Sequence, residues 1–323
     1  NLKLTDVISL KDRYGYMLWM RHFELACLEG VPTREIHGEL HTAIGQEAIS
    51  AAMVGALRKE DAMCSTHRNH MHAIAKGVDM RAMLAEIFER KTGICGGFGG
   101  HMHIFDSSVK FSATGIVGAG VPVALGHAYA ARLKSNGAVA VAIVGDGAVN
   151  TGAFHEAMNM AGAMSLPLVV LVENNEWAIS VPFSASSATK TIAERAPSWG
   201  AHGVRVNGLD VEAVSEAFAD AVNSARAGEG PRIVEAMCYR FRGHFEGDAD
   251  MYRSKDEKES RRAQDPIEIT KSTLISRELA TEDELNAMSS SVQESIAQML
   301  ASVRSDPSPD SADARRFVFV ESQ

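Results

Sequence analysis

The side chains best suited to chemistry are Asp146, held between Gly145 and Gly147, and the pair Asn174-Asn175, reached after a spacer of 26 residues. A carboxylate and an amide oxygen are hard ligands, and they suit Mg²⁺ or Ca²⁺ rather than zinc. The glycines let the backbone come close to a ligand. The helix that follows would aim free N–H groups outward, and a helix N-terminus of this kind favours phosphate. Residue types and spacing thus read as a unit that holds a divalent metal and a diphosphate together.

Elements of one kind can position these groups. Val139–Val144 is an apolar run that leads into Gly145, and Leu168–Val172 leads into the asparagines. Gly152–Ala163 reads as a helix, ended by Ser165 and Pro167. Strand, turn, helix and strand make a βαβ unit with two buried parallel strands. Both polar clusters then lie at carboxyl ends of strands, the edge at which open parallel sheets bind ligands. Two other readings compete. Gly145-x-Gly147-x-x-Asn150 approaches the dinucleotide fingerprint, but Asn150 replaces its third glycine, and Asp146 would repel a pyrophosphate unless a metal lay between them. An ordinary strand-end turn would need no asparagine pair at this distance.

Three further stretches carry polar chemistry. His67, Arg68, His70 and His72 form a dense cluster. As a transition-metal set it lacks a Cys or carboxylate to complete it. As an anion site it offers the planar fork of Arg68; a solvated loop is the third possibility. Gly93–His103 has five glycines within residues 93–100 and apolar, His-bearing flanks, which favours a folded loop over a linker. Arg240–Arg253 combines charges and glycines just past an apolar strand, a composition suited to a loop that orders over a ligand.

Five motifs in order, Ser65-Thr-His-Arg68, Gly115-Ile-Val-Gly-Ala119, Gly145-Asp-Gly-Ala148, Glu173-Asn-Asn175 and Gly243-His244, resemble the alpha chain of the thiamin diphosphate-dependent 2-oxo acid and acetoin dehydrogenases. The likeness runs from about Ala26 to about Arg262. It implies an α/β fold, a parallel sheet flanked by helices that binds thiamin diphosphate and Mg²⁺. The metal ligands it implies are Asp146, Asn175 and the backbone carbonyl of Trp177. It puts His67, Arg68 and His244 at the diphosphate, beside the Gly147-Ala148 turn. The Gly115 carbonyl and Val117 N–H would bond the aminopyrimidine ring, and His41 would sit at the reactive end, so His41 and His244 are the catalytic candidates. In such enzymes a glutamate from a separate beta chain protonates the aminopyrimidine, and the acyl unit passes to a lipoyl-bearing acyltransferase. The resemblance therefore implies an obligate beta subunit, in an assembly of two alpha and two beta chains. Mitochondrial relatives carry regulatory serines after the Gly-His pair; Phe245 and Met251 stand there here, which argues against kinase control. Gly-His-Phe-Glu-Gly-Asp248 is nearer to the acetoin type, with pyruvate or a branched 2-oxo acid as the alternative substrate.

Composition bounds the rest. The chain has 323 residues, is 46% hydrophobic and carries a net charge of −9, which disfavours nucleic acid as a partner. No run of about 18 apolar residues suggests a membrane span. The N-terminus shows no signal-peptide pattern, and it does not begin with Met, which leaves room for residues ahead of Asn1. Cys27, Cys64, Cys95 and Cys238 have neither CxxC nor zinc spacing, so they read as thiols of a reducing cytoplasm. Residues 1–323 read as a single α/β domain, with an N-terminal helical extension and, from about 270, a C-terminal helix and tail. Helices are expected over Leu4–Gly30, His41–Leu57, Val78–Phe88, Ala124–Leu133, Asp210–Arg226 and, from the capping box Thr281-Glu-Asp-Glu284, to about Arg304. Strands are expected at Asp61–Met63 and Arg232–Tyr239. Ser184–Thr191 reads as a mobile polar loop, and Pro307 and Pro309 mark an extended tail. Two other function classes stay in view, a nicotinamide-dependent oxidoreductase and a noncatalytic homologue; the intact Asp146, Asn175 and Arg68 oppose the second.

Overall fold

A computed structural model describes residues 8–317, with side chains described through 314. The strands are β1 (Ala62–Ser65), β2 (Phe105–Asp106), β3 (Phe111–Ala113), β4 (Ala140–Gly145), β5 (Leu168–Asn174), β6 (Trp177–Ala178), β7 (Val181–Pro182), β8 (His202–Asn207) and β9 (Arg232–Met237). Seven of them form one sheet in the order β2-β3-β1-β4-β5-β9-β8, and β6 pairs with β7 apart from it. Neighbours in the large sheet are parallel except β2 and β3 at one edge. Chain order reverses between β1, followed by β3 on one side, and β4, followed by β5 on the other. That is a topological switch point, where open α/β sheets leave a crevice.

The strands hold because both faces are buried. Val141, Ile143, Val169, Leu171 and Val234 join a core with Met20 and Phe23 of helix Leu10–Glu29 and with Val214 and Phe218 of helix Val211–Arg226. The intervening Ala140, Ala142, Val144, Val170 and Val172 pack with Ala124 and Ala128 of helix Gly120–Lys134 and with Phe154 and Met158 of helix Gly152–Ala163. Each wholly buried aliphatic side chain contributes roughly 1.5–3 kcal/mol. The register Gly145↔Glu173 sets the two polar clusters side by side at one sheet edge.

Several helix boundaries depart from expectation. The first helix starts at Leu10, where Ser9 and Asp12 form a capping box; Leu4 lies outside the described residues. Helix Gly120–Lys134 begins earlier than Ala124 because Pro122, in its first turn, needs no N–H partner. The expected Val78–Phe88 helix spans Met80–Ile87, capped by Asp79. Helices Val211–Arg226 and Glu282–Arg304 begin at Asp210 and at the Thr281 capping box as read. The expected helix from His41 to Leu57 is wrong at both ends, since only Glu47–Met53 is helical. Gly45 has φ +101°, and its N–H donates to the Glu47 carboxylate at 3.0 and 3.1 Å, so residues 41–46 stay open as a loop. Strand β9 stops at Met237 rather than Tyr239.

Other loops are more ordered than their composition suggested. Cys95, Gly97, Gly99 and Gly100 of the glycine-rich stretch donate backbone N–H bonds to the Glu86 carboxylate, at 2.8, 2.7, 2.6 and 3.2 Å. A Cβ at Gly93 would lie 2.6 Å from the Glu86 Cα, so the glycine there is required. The Ser184–Thr191 stretch is not a loose loop: Arg195 donates to Thr189 Oγ1 at 2.7 Å and ties onto Asn150 at 2.9 Å. The segment past Arg304 is anchored as well, by Arg81 on Asp306 at 2.8 Å and by Lys91 N–H on the Pro307 carbonyl at 2.8 Å. No helix among the described residues is long and apolar enough to cross a membrane.

Candidate cofactor site

A cavity of about 240 Å³ opens at the carboxyl ends of β1, β4 and β5. Ser65-Thr66-His67-Arg68 leaves β1 into it, Gly145–Ala148 leaves β4, and Glu173 and Asn175 come from the tip of β5. Trp177, Arg240 and His244 close it, and the exposed apolar Ile116, Val117 and Ile179 form its mouth. Of the residues singled out from sequence, Asp146, Gly147, Ala148, Asn175, Trp177, His67, Arg68, Val117 and His244 all line this one cavity. Gly115 does not line it, though Thr114 and Ile116 do. His41 does not line it either, but its ring meets two lining residues, His67 at 4.6 Å and His244 at 5.0 Å between centroids.

The polar groups here are incompletely partnered within the chain. Asp146 is 1% exposed, and its Oδ2 has no hydrogen-bond partner. Burial lifts its carboxyl to about 6. Asn175 accepts the Trp177 N–H on Oδ1 at 3.2 Å and donates to Gln46 Oε1 at 3.4 Å, which fixes the amide. Arg68 and Arg240 are 5% and 2% exposed, and neither forms an ion pair with a carboxylate among the described residues. Arg68 donates instead to the Thr42 carbonyl at 2.7 Å, to His244 Nδ1 at 3.1 Å and to the His244 carbonyl. Arg240 donates to the Tyr252 hydroxyl at 2.9 Å and to the carbonyl of Arg242 at 3.1 Å. Burial, and then the neighbouring Arg240, pull Arg68 down to about 9. Two buried unpaired cations are costly without an anion. A diphosphate with a divalent cation on Asp146 answers both deficits.

Two expectations need correction. The histidine cluster splits. His67 and Arg68 face the cavity, whereas His70 and His72 lie in the core, paired with Glu24 at 2.9 Å and with Glu173 at 2.9 Å. Nor does the N-terminus of helix Gly152–Ala163, which has the bounds expected, line the cavity. A short 3₁₀ turn, Ala148–Asn150, intervenes, and helix Gly152–Ala163 is capped by its own Thr151. The backbone that lines the cavity is therefore the Gly145–Ala148 turn. The loop from Arg240 to Arg253 is also folded by its own bonds, among them His244 N–H and Tyr252 Oη–H to Asp248 at 2.6 Å each.

Sequence reasoning passed over Gln46, Arg240 and His101. Arg240 could have been found, because it follows strand β9 at the same sheet edge. Gln46 and His101 leave no local signal.

The histidines have a consequence for acid stability. Burial first, and then Arg68, lower His41 to about 4, His67 to about 2 and His244 to about 3; burial and then His70 and His41 lower His101 to about 3. Their unfolded value is about 6.5. These depressed values mean that stability is complete above about 6.5 and falls as the pH drops toward 4, where only the unfolded chain binds the protons. Each such histidine contributes a slope of up to about 1.4 kcal/mol per pH unit, against a single opposing group in Asp146. Urea titrations of the cofactor-free protein at pH 7, 6 and 5 should therefore show a steep fall; equal stability at the three values would contradict these environments.

A mostly parallel α/β sheet, with a buried carboxylate, an amide and two buried arginines around a cavity at its switch point, defines the class of protein: an α/β fold whose cleft is suited to a phosphate-bearing cofactor. A family model for the dehydrogenase E1 component matches residues 16–312. The chain is 40% identical over 321 residues to the alpha subunit of acetoin:2,6-dichlorophenolindophenol oxidoreductase from Bacillus subtilis (strain 168), covering 99% of this chain and 96% of that one. It is 38% identical over 316 residues to the alpha subunit of the pyruvate dehydrogenase E1 component from Porphyra purpurea, covering 95% and 92%. The corresponding Rhizobium meliloti (strain 1021) subunit is 40% identical over 299 residues, covering 92% and 86%. The chain belongs to the dehydrogenase E1 component family, as an alpha subunit of an oxidoreductase. Membership implies thiamin diphosphate as the cofactor.

Proposed function

We propose that this chain is the half of a two-chain dehydrogenase that holds diphosphate and metal, cleaving acetoin or a 2-oxo acid such as pyruvate with thiamin diphosphate and Mg²⁺. One observation carries the reading: Asp146 Oδ2 is buried without a partner beside Asn175, in a cavity walled by two unpaired arginines. When bound, the cofactor supplies the nucleophilic carbon that breaks the bond next to a ketone carbonyl. Asp146, Asn175 and the Trp177 carbonyl hold the metal. His67, Arg68 and His244, with the Gly147-Ala148 turn, hold the diphosphate. The Gly115 carbonyl and Val117 N–H hold the aminopyrimidine. His41 and His244, both neutral at pH 7 because burial lowers them, stand where a proton can be accepted or returned.

The assembly follows the same reading. A beta subunit supplies the glutamate that completes the site, in a complex of two alpha and two beta chains, and a lipoyl-bearing acyltransferase takes the acyl unit. We read residues 1–323 as a single domain with helical additions at both ends. The four free thiols of Cys27, Cys64, Cys95 and Cys238 support a cytoplasmic setting.

Calorimetric titration tests the core of this. Thiamin diphosphate should bind only when Mg²⁺ is present, more tightly with the beta chain, and NAD should not bind. Metal-independent binding, or NAD in its place, would overturn the reading. Acetoin, pyruvate and a branched 2-oxo acid, compared with the reconstituted pair, then rank the substrates. Acetoin is expected first, as the Gly-His-Phe-Glu-Gly-Asp248 sequence favours, and preference for a 2-oxo acid would reverse that assignment.

A further inference from the structure

His101 stands just behind the site and is not one of the residues lining the cavity. It is 5% exposed, and besides an edge contact with the core His70 it makes three contacts that meet at the histidines of the pocket. Its Nε2 donates to the Glu39 carbonyl, two residues before His41. Its ring stacks on His41, with centroids 5.3 Å apart and planes at 27°. Its own carbonyl accepts from Asn69 Nδ2 at 2.8 Å, directly after the segment that carries His67 and Arg68. His101 thereby adds a second tie between two loops that Arg68 already joins through the Thr42 carbonyl.

The support behind His101 is rigid. It follows Gly100, the last of four residues whose N–H groups converge on the Glu86 carboxylate. Glu86 is wholly buried, and such a carboxylate has little to gain by letting go of four donors. The glycine-rich stretch is thus a fixed shelf, with His101 at its end pressed against His41.

We propose that His101 is a positioning residue that holds the His41 ring at the reacting centre by stacking on it and by clamping the Glu39 carbonyl. The proposal rests on the reading that His41 lies at the cofactor's reactive end. It also assigns the glycine-rich stretch a task, which is to carry this clamp. Charged and titratable groups around the pair are His67, His244, Arg68, Arg240 and His70, with Glu24 beyond His70. None of them forms a hydrogen bond to the His41 ring among the described residues. His67 and His244 meet the His41 ring at steep angles, at 4.6 and 5.0 Å, so the near-parallel stack on His101 and the Glu39 anchor are the contacts that hold it from outside the cavity.

The experiment is a double-mutant cycle in the holoenzyme reconstituted with its beta chain, using His101→Phe, His101→Gln and His41→Ala. Misplacing a reacting group by about 1 Å costs on the order of 100-fold in rate. His101→Phe, which cannot donate to Glu39, should lower kcat about 10- to 100-fold, with thiamin diphosphate affinity and substrate KM nearly unchanged. His101→Gln, whose amide can still reach the Glu39 carbonyl, should recover a large part of that loss. In a His41→Ala background, His101→Phe should cost nothing further, because the two act through one ring. A kcat unaffected by His101→Phe, a loss that appears as weaker cofactor binding instead, or full additivity with His41→Ala would overturn the proposal. If His41→Ala alone keeps wild-type kcat, the placement of His41 at the reacting centre falls, and the clamp with it. Failure of the wild-type pair to bind thiamin diphosphate would strike the functional reading itself.

Discussion

Asp146→Ala should abolish metal-dependent binding of thiamin diphosphate while leaving a folded protein. Altering a group that only orients a metal ligand already costs about 10- to 100-fold in affinity, so removing a ligand should exceed about 100-fold. The same change should stabilise the metal-free protein. Burial holds the Asp146 carboxyl at about 6, above its ordinary 3.8, so its ionised form is disfavoured in the fold. A raised carboxyl destabilises the native state fully above pH 6 and not at all below about 3.8, a difference of roughly 3 kcal/mol at pH 7. Asp146→Asn keeps the shape and should show this gain most cleanly, fading as the pH approaches 4. A mutant that binds as wild type, or one that unfolds more readily than wild type at pH 7 without metal, would contradict the role assigned to this carboxylate. Stability given up for a ligand site is a usual signature of function.

Gly45→Ala should have the largest effect away from the metal. Gly45 has φ +101°, a conformation that costs a residue with a side chain about 1–2 kcal/mol. A Cβ there would also lie 2.4 Å from the Tyr239 carbonyl oxygen, a backbone atom that cannot turn aside. Overpacking of this kind adds typically about 1–3 kcal/mol. The strain falls on the loop between His41 and Gln46, and Gln46 meets Asn175. The expected result is a loss of about 3 kcal/mol or more in chemical denaturation, together with weakened cofactor binding. A loss below about 1 kcal/mol, within the spread of ordinary substitutions, would show that the loop gives way easily.

Much of the core was legible because its signal is local. Runs such as Val139–Val144 and Leu168–Val172 are apolar on both faces, and the fold buries both, one face in each of the two cores. Asp146 and Asn175 were legible as cavity residues because a carboxylate and an amide at strand tips are residue types that few other roles require. What stayed hidden depends on contacts between distant segments. Nothing near Glu86 announces that it will gather the N–H groups of Cys95, Gly97, Gly99 and Gly100. His67 and His70 look alike in sequence, yet His70 meets Glu24, 46 residues away, in the core. The pattern over His41–Leu57 is helical enough, and it is overridden where the Glu47 carboxylate takes the Gly45 N–H and pairs with Arg21 at 2.5 Å. Backbone groups, such as the Gly115 and Trp177 carbonyls proposed as ligands, leave no residue preference at all.

A crystal grown with thiamin diphosphate and Mn²⁺ in place of Mg²⁺, recorded at the manganese edge, tests the central claim most directly. The anomalous peak should lie between the Asp146 carboxylate, the Asn175 amide and the Trp177 carbonyl, in contact with both phosphoryl groups. A diphosphate bound elsewhere, or a metal peak that Asp146 and Asn175 do not touch, would contradict it.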